Sequence, residues 1–376
     1  MAEPRTIVLC LDGTNNEPQT GTTNVARMFQ VAVRDERQLV FYHPGVGTMG
    51  SAGAVTRMGK WLSRMGGLAA GWGIKDNIEA AYTFLVRHWE PGDRVFVFGF
   101  SRGAFTARAL TGMLATLGLL RPEAENLVPY AMKLYASEAR HARTAEAAVT
   151  GDGDTIAATP PDEREAARRY WALRRDFEAQ FGNPAFPSSF AHHHRQIQFL
   201  GVWDTVKTVG WFNWKAQFQQ VRWPFTANPR NVEVARHALA LDEMRRPYRE
   251  YRFDAGAVAR SHGRLREVWF AGIHSDVGGQ YPDHRLSDIA FDWMVQEAYE
   301  RGLRVDERAY RRLMGVPFGS PLPADLPQGE LHRNPWVWAL LGGWHHRRFD
   351  PADVHPSVRE RAAHPPGGVP YRPELA

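Results

Sequence analysis

The chain lacks the features that mark several classes of protein. Its 376 residues include one cysteine, Cys10, so no disulfide can form within the chain and the fold does not depend on an oxidising compartment. No apolar run approaches the ~20 residues that span a bilayer. The start, MAEPRTIVLCLDG, has none of the three regions of a signal peptide. We expect the protein to be made in the cytoplasm. Any export would then use a secretion system that does not depend on a signal peptide.

Basic charge is present only in modest excess. The net charge is +5, and arginine supplies nearly all of the 46 basic residues. Such an excess permits attraction to anionic surfaces but does not require nucleic acid, and the sequence has no zinc-finger spacing, RNA-binding aromatic motif or long basic run. Gly45–Gly50 fits G-x-G-x-x-G, but no acidic residue occurs from Gln38 to Lys75, where a dinucleotide site would need one. We predict no nucleic-acid partner and no cofactor.

Short apolar runs alternate with helical patterns along much of the chain. The runs are Thr6–Leu11, Leu39–Tyr42, Arg94–Phe100, Ile197–Trp203 and Glu267–Gly272. The helical patterns are Asn77–Trp89, Arg102–Leu117, Asn231–Arg246 and Ser287–Arg301. Most of the runs lack polar alternation, which is typical of strands covered on both faces. The sequence therefore predicts an α/β fold with a mostly parallel sheet and flanking helices.

The predicted organisation is one catalytic domain over residues 1–376. Residues 137–165 are rich in Ala, Gly, Asp and Thr, which predicts a partly mobile surface insertion. Residues 204–228 are rich in aromatic residues, which predicts a lid-like segment. Residues 350–376, rich in Pro, Gly, His and Arg, predict an extended tail.

The stretch GFSRG places Ser101 between a predicted strand and a predicted helix. This G-x-S-x-G pattern is typical of a nucleophile elbow, in which a sharp turn exposes the serine and close chain approach admits only glycine beside it. The alternative reading is a structural turn. The preceding RVFVFGF and the following AFTARALTGML supply the strand and helix that the catalytic reading needs.

A serine nucleophile needs a base, and the base needs an acid to orient it. His274 follows the predicted strand EVWFAG, and Asp204 follows IQFLGVW. Functional groups collect at the carboxyl ends of strands in open α/β sheets, so the sequence predicts a triad in the order Ser101, Asp204, His274. Asp276 and Asp242 are alternative candidates for the acid. The structural alternative for Asp204 is a helix or turn cap, and for His274 it is a loop histidine that is hydrogen-bonded to the backbone.

LCLDGTNNE is a third motif at a strand end. Gly13 and Thr14 are predicted to offer backbone N–H groups that complete an oxyanion hole with the N–H of Arg102.

The same motif partly resembles the D-x-D-G-T of haloacid-dehalogenase phosphatases. Cys10 occupies the nucleophilic aspartate position, which excludes aspartyl-phosphate chemistry. Asp12 and Asp276 could meet at a divalent cation, but no sufficient ligand set is evident, so no metal is predicted.

Two aromatic clusters bear on the substrate. The first, with Trp211, Phe212 and Trp214, follows the predicted acid and suits a lid or an acyl-chain wall. The second is NPWVWALLGGWHHRR. Tryptophan beside arginine or lysine is typical of a membrane–water interface, although a packed core is the alternative for either cluster.

Five motifs occur in a characteristic order: CLDGTNN, GFSRGAFTAR, GVWDTV, ALALDEMRR and AGIHSDVGGQYP. From about Thr6 to Tyr281 they resemble the α/β-hydrolase-like catalytic domain of bacterial type VI secretion phospholipase effectors. The resemblance implies a serine esterase acting on glycerophospholipids at a membrane surface, with Ser101 as nucleophile, His274 as base and Asp204 as acid. It also implies a secretion-apparatus component and an immunity protein as partners.

Two other functions stay open at the level of sequence. One is an esterase of small soluble esters or thioesters. The other is a catalytically silent binding module on the same fold.

Overall fold

A computed structural model of the chain describes residues 4–13, 22–45, 70–136, 160–189, 195–206, 223–336, 338 and 343–373. These residues form a six-stranded sheet with helices on both faces. The strands are β1 (Thr6–Leu11), β2 (Gln38–His43), β3 (Arg94–Phe100), β4 (Ile197–Trp203), β5 (Val232–Ala240) and β6 (Leu265–Phe270). The strands are ordered β2-β1-β3-β4-β5-β6, and every neighbouring pair is parallel. The predicted α/β-hydrolase-like class is confirmed.

Helices cover both faces of the sheet. The α-helices are α1 (Asn24–Val31), α2 (Ala70–His88), α3 (Arg102–Leu117), α4 (Val128–Ala136), α5 (Pro161–Phe181), α6 (Ala255–Ala259), α7 (His274–Gly278), α8 (Arg285–Tyr299), α9 (Glu307–Met314) and α10 (Pro356–Ala363). Short 3-10 helices lie at Pro122–Leu127, Arg246–Tyr248, Leu326–Gln328, Pro351–Asp353 and Pro366–Gly368. One apolar core lies between the sheet and α2, α3 and α4, and a second lies on the opposite face under α1, α8 and α9.

Strand β5 corrects one sequence prediction. The pattern from Asn231 to Arg246 predicts a helix, but Val232–Ala240 is a strand between β4 and β6. The segment VEVARHALA contains valines, which favour strands, and alanines and a leucine, which favour helices, so its local pattern does not distinguish the two structures. Parallel pairing on both edges and burial on both faces decide the structure.

Two predicted segment boundaries also change. Residues 160–165, predicted as the end of a mobile insertion, lead into and begin helix α5, while residues 137–159 lie outside the described part. The extended tail predicted from residue 350 onward is wrong for Pro356–Ala363, which is helix α10 with Val358 and Arg361 buried. Apolar contact with the sheet stabilises a helix that its composition does not predict.

The sheet order positions the site. The chain leaves β1 toward β2 and then returns to the other side of β1 as β3, so the carboxyl ends of β1 and β3 flank a topological switch point. In open α/β sheets this crevice is where ligands bind. No helix in the described ranges is long and apolar enough to cross a membrane.

Candidate active site

Ser101 lies on a sharp turn between β3 and α3. Its backbone has φ 59° and ψ −121°, a conformation rare for a residue with a side chain. A Cβ atom on Gly99 would lie 2.5 Å from the Gly103 carbonyl oxygen, and one on Gly103 would lie 2.6 Å from that of Asp12. The two glycines of the motif therefore permit the close chain approach that exposes Ser101 at the turn.

The structure brings Ser101, His274 and Asp204 together. The Oγ of Ser101 lies 2.8 Å from Nε2 of His274, and Nδ1 of the same ring lies 2.6 Å from Oδ2 of Asp204. An ionised carboxylate only accepts hydrogen bonds, so Nδ1 carries the proton and Nε2 accepts the hydroxyl of Ser101. Ser101 makes no capping bond to α3, which leaves its hydroxyl to the imidazole.

His274 is 4% exposed and is held from three directions. Its ring stacks on Phe100 with centroids 4.6 Å apart, and Tyr248 contacts it edge-on at 5.0 Å. Its backbone N–H donates to Glu243 Oε2 at 3.2 Å. Glu243 is itself paired with Arg245 at 2.7 Å. These contacts fix the orientation of the imidazole at the carboxyl end of β6.

Asp204 is fully buried at the end of β4, with an unusual backbone φ of 33°. Its Oδ1 accepts the backbone N–H of Ala240 at 3.0 Å. The next residue, Thr205, donates its N–H to Nε2 of the buried His237 at 3.1 Å, which holds the turn from the other side. The carboxylate is therefore fixed both by β5 and by its own turn.

Arg347 is part of this site, although the sequence analysis did not predict a role for it. Its Nη1 lies 2.5 Å from Asp204 Oδ1 and its Nη2 lies 3.1 Å from Oδ2, with both side chains fully buried. Burial alone would raise the pKa of Asp204, but the Arg347 guanidinium and the hydrogen bond from His274 outweigh it and hold that pKa well below its usual range. No local motif marks Arg347, because nothing in HHRRFD tells an inward arginine from an outward one.

The rival acids have other partners. Asp276 accepts the N–H of Ile273 at 3.0 Å and pairs with His332 at 2.7 Å. Asp242 accepts the N–H of Gly272 at 2.6 Å and the hydroxyl of Tyr371 at 2.9 Å. Both carboxylates accept backbone N–H groups of the turn before His274, and neither is hydrogen-bonded to its imidazole. The geometry therefore favours Asp204 as the partner of His274.

Of the predicted oxyanion donors, the N–H of Arg102 is positioned for that role, whereas the N–H of Gly13 has another partner. Arg102 is the first residue of α3, so its N–H lies at a helix N-terminus beside Ser101. Gly13 is also adjacent, since a Cβ atom on it would lie 3.3 Å from that of Ser101. Its N–H, however, donates to Asp12 Oδ1 at 2.7 Å and is engaged in this state. Thr14 lies outside the described residues.

Asp12 and Asp276 are held by separate sets of protein groups. Asp12 Oδ2 accepts the hydroxyls of Thr23 at 2.5 Å and Tyr42 at 2.9 Å. Within the described ranges, no group of three or more His, Cys, Asp or Glu side chains is arranged to hold a metal ion. Trp211, Phe212 and Trp214 lie outside the described residues.

Comparison with known proteins identifies the family. The family described as "T6SS, Phospholipase effector Tle1-like, catalytic domain" matches residues 5–297. The chain belongs to this family. It is also 30% identical over 257 residues to the uncharacterized protein YEL023C of Saccharomyces cerevisiae, a match that covers 66% of this chain and 33% of the yeast protein.

Two solved structures are similar to this Tle1-like chain at low sequence identity. An uncharacterized protein from Pseudomonas aeruginosa has a TM-score of 0.40 at 18% identity, covering 82% of this chain and 47% of that one. The Tle1 effector bound to the VgrG spike from the type 6 secretion system has a TM-score of 0.35 at 17% identity. The match covers 75% of this chain and 52% of that one. The chain therefore spans a third to a half of the length of these relatives.

The Tle1-like match includes Ser101, Asp204 and His274 but ends at residue 297. The side chain that pairs with both oxygens of Asp204 comes from residue 347. The site as folded thus extends beyond the part of the chain that the family match covers.

Proposed function

We propose that this Tle1-like chain is a serine esterase that hydrolyses the acyl ester bonds of glycerophospholipids. One observation carries the proposal: the hydroxyl of Ser101, the imidazole of His274 and the carboxylate of Asp204 form a continuous chain of contacts at 2.8 Å and 2.6 Å. The elbow at Ser101 and the phospholipase description of the family support the same reading.

The proposed reaction has two halves. Ser101 Oγ attacks the acyl carbonyl carbon while its proton moves to His274 Nε2. The tetrahedral intermediate collapses with cleavage of the ester C–O bond, and the imidazolium gives its proton to the departing lysolipid oxygen. Water then attacks the acyl-enzyme by the same route, which releases the fatty acid and returns a proton to Ser101. Asp204 keeps the imidazole in the tautomer that accepts from Ser101.

We assign one oxyanion donor, the backbone N–H of Arg102, where the α3 dipole favours negative charge. Gly13 supplies a second donor only after its N–H leaves Asp12. That rearrangement would couple substrate binding to the position of the Asp12 side chain.

A two-sided segment near the site supports a lipid surface as the form of the substrate. From residue 344 to residue 349, exposed and inward residues alternate, with Trp344, His346 and Arg348 exposed. Trp336, nearby in sequence, is 74% exposed. Tryptophan and arginine on one face suit the headgroup level of a membrane.

The direct test is release of fatty acid from phospholipid vesicles by the purified protein. We expect Ser101→Ala to abolish release while keeping the thermal unfolding temperature near wild type. Full activity in Ser101→Ala would refute the mechanism. Turnover of short-chain esters with no response to vesicles would favour a soluble substrate, and a folded protein whose Ser101 resists a fluorophosphonate would indicate a silent binding module.

Family membership also motivates a proposal about partners. We propose that the protein is delivered by a type VI apparatus and is neutralised in the producing cell by an immunity protein. Affinity purification of the tagged protein from its source should recover a spike component or a small inhibitor. Recovery of neither would count against delivery by this route.

A further inference from the structure

The guanidinium of Arg347 has a more extensive set of partners than a simple ion pair. Besides both oxygens of Asp204, it donates to the carbonyl oxygens of Ala240 and Tyr248, each at 2.6 Å. Its Nε lies 3.6 Å from Glu250 Oε2. The side chain is fully buried. A buried fork of this kind fixes a carboxylate in both position and rotation, which a lysine cannot do.

We propose that Arg347 is a positioning residue of the active site, which holds Asp204 in register with His274 and sets the pH range in which His274 acts as a base. The inference rests on the proposed function, since it concerns the same three side chains. Because Arg347 lies in the C-terminal segment, this segment would contribute a functional residue to the active site.

The electrostatic argument depends on which charges face His274. Asp204 contacts Nδ1, Glu243 accepts the backbone N–H, and the Tyr248 phenol ring lies edge-on to the imidazole. Arg245 neutralises Glu243, and Arg347 neutralises Asp204. Without Arg347, the imidazole would face an uncompensated buried carboxylate, with Glu250 as a further negative charge behind it. A carboxylate of this kind favours the imidazolium, which is inactive as a base.

Arg347 could instead serve only to anchor the C-terminal segment. The two roles differ in a measurable way. Loss of an anchor lowers stability or the amount of active protein at every pH. Loss of a charge next to Asp204 changes the pH at which His274 takes up a proton.

The test is the rate at which a fluorophosphonate labels Ser101, measured from pH 5 to 9 in the full chain. This readout needs the nucleophile and its base but no lipid. In Arg347→Met we expect the acid limb to move to higher pH by roughly one unit, because a neighbouring positive charge is lost. Arg347→Lys should keep the acid limb of wild type and label more slowly, since one ammonium cannot bridge both oxygens.

The control is Arg236→Met. Arg236 is also buried and paired with a carboxylate, Glu297, at 2.7 Å, but it lies earlier on β5 than Ala240, and its other hydrogen bonds go to carbonyl oxygens of Ala235, Gly263 and Arg264. It should lower stability without moving the acid limb. An acid limb in Arg347→Met that stays in place or moves to lower pH overturns the inference.

A second measurement separates this inference from the proposed function. The imidazole of His274 can be titrated by NMR and assigned by the loss of its signal in His274→Gln. In Arg347→Met we expect the midpoint of this NMR titration to lie at higher pH than in wild type, even if Ser101 fails to label. If Arg347→Met does not fold, Arg347→Lys carries the test, and a shifted titration there would contradict the charge argument.

Discussion

Two residues of the proposed triad have backbone conformations that most side chains avoid. Ser101 has a φ of 59° and Asp204 has a φ of 33°. Such strain persists only where the surrounding structure holds it, and it is typical of functional sites. At Ser101 the support comes from close contact between the elbow and the end of β1. At Asp204 it comes from Arg347, Ala240 and the bond between Thr205 and His237.

The elbow yields a prediction about Gly103. A methyl group there would collide with the carbonyl oxygens of Leu11 and Asp12, which are backbone atoms and cannot rotate away. We expect Gly103→Ala to destabilise the fold by at least about 2 kcal/mol and to slow labelling of Ser101. Urea unfolding monitored by circular dichroism measures the first effect.

Gly256→Ala is the matched control. Gly256 is also helical, and the nearest atom to an added methyl is the flexible end of Arg260 at 3.1 Å. This change should be neutral or stabilise by up to about 1 kcal/mol, because alanine is the better helix former. Equal unfolding midpoints for the two variants would contradict the packing argument.

At the scale of elements, the C-terminal segment is docked rather than extended. Phe349 and Val358 complete a small core with Leu239, Leu241 and Trp269 at the far edge of the sheet. The His355 N–H donates to the Trp269 carbonyl oxygen at 2.9 Å. This docking holds the chain after Arg347, and the bond from the His345 N–H to the Met244 carbonyl oxygen at 2.9 Å holds it before Arg347.

His355 makes that docking sensitive to acid. Burial, helped by Arg266, lowers the pKa of His355 from its ordinary 6.5 to about 4. The ring stacks on Phe270, and its Nδ1 accepts the N–H of Ser357 at the start of α10. The unfolded chain takes up this proton more readily, so the stabilisation is complete above pH 6.5 and is lost as pH falls toward 4.

We expect this loss to reach about 2 to 3 kcal/mol near pH 4. The measurement is the difference in unfolding free energy between wild type and His355→Asn over pH 4 to 7. Asparagine keeps an N-cap acceptor but does not titrate, so the difference isolates His355 from nearby groups such as Asp353. A pH-independent difference would show that this histidine does not titrate as proposed.

At the scale of the whole molecule, the parallel sheet gathers distant residues at one edge. Ser101, Asp204 and His274 follow β3, β4 and β6, and the 344–349 segment runs past the same edge with Trp344 and Arg348 exposed. We infer that this side of the molecule faces the lipid.

The inference predicts the behaviour of a double variant, Trp336→Ala with Trp344→Ala. We expect binding to anionic phospholipid vesicles, measured by co-sedimentation, to fall at least about tenfold, because partial burial of each ring contributes on the order of 1 kcal/mol. Fatty-acid release from the vesicles should fall in step.

The matched control is Tyr130→Ala with Leu173→Ala. These side chains are 51% and 50% exposed, on α4 and α5. Their loss should leave vesicle binding at the level of wild type. Equal losses in the two double variants would mean that exposed apolar area in general, and not this face, drives binding.

Much of the architecture could be predicted from local sequence. Buried parallel strands are continuous apolar runs, so β1, β3 and β4 were predicted with their observed limits, and G-x-S-x-G marked the turn at Ser101. Residues that follow such strands necessarily collect at one edge, and for this reason the meeting of Ser101, Asp204 and His274 could be expected before any coordinates.

Other features depended on contacts far apart in the chain. Strand β5 has an ambiguous local pattern and is fixed by its neighbours β4 and β6. The choice of Asp204 over Asp242 and Asp276 required the hydrogen bonds of all three carboxylates. The engagement of Gly13 by Asp12 was likewise visible only in three dimensions.

Local patterns and strand order in the sequence are enough to predict the α/β class, the elbow at Ser101 and a triad of Ser101, Asp204 and His274, but they leave Asp242 and Asp276 as rivals for the acid. Only the tertiary structure showed that Arg347 pairs with Asp204 and that the tail docks through α10. A guanidinium 143 residues from its carboxylate leaves no periodic or spacing signal. Its partner is decided by how the segment after residue 343 packs against the end of β5 and the chain that follows it, and packing at that distance is a property of the folded chain.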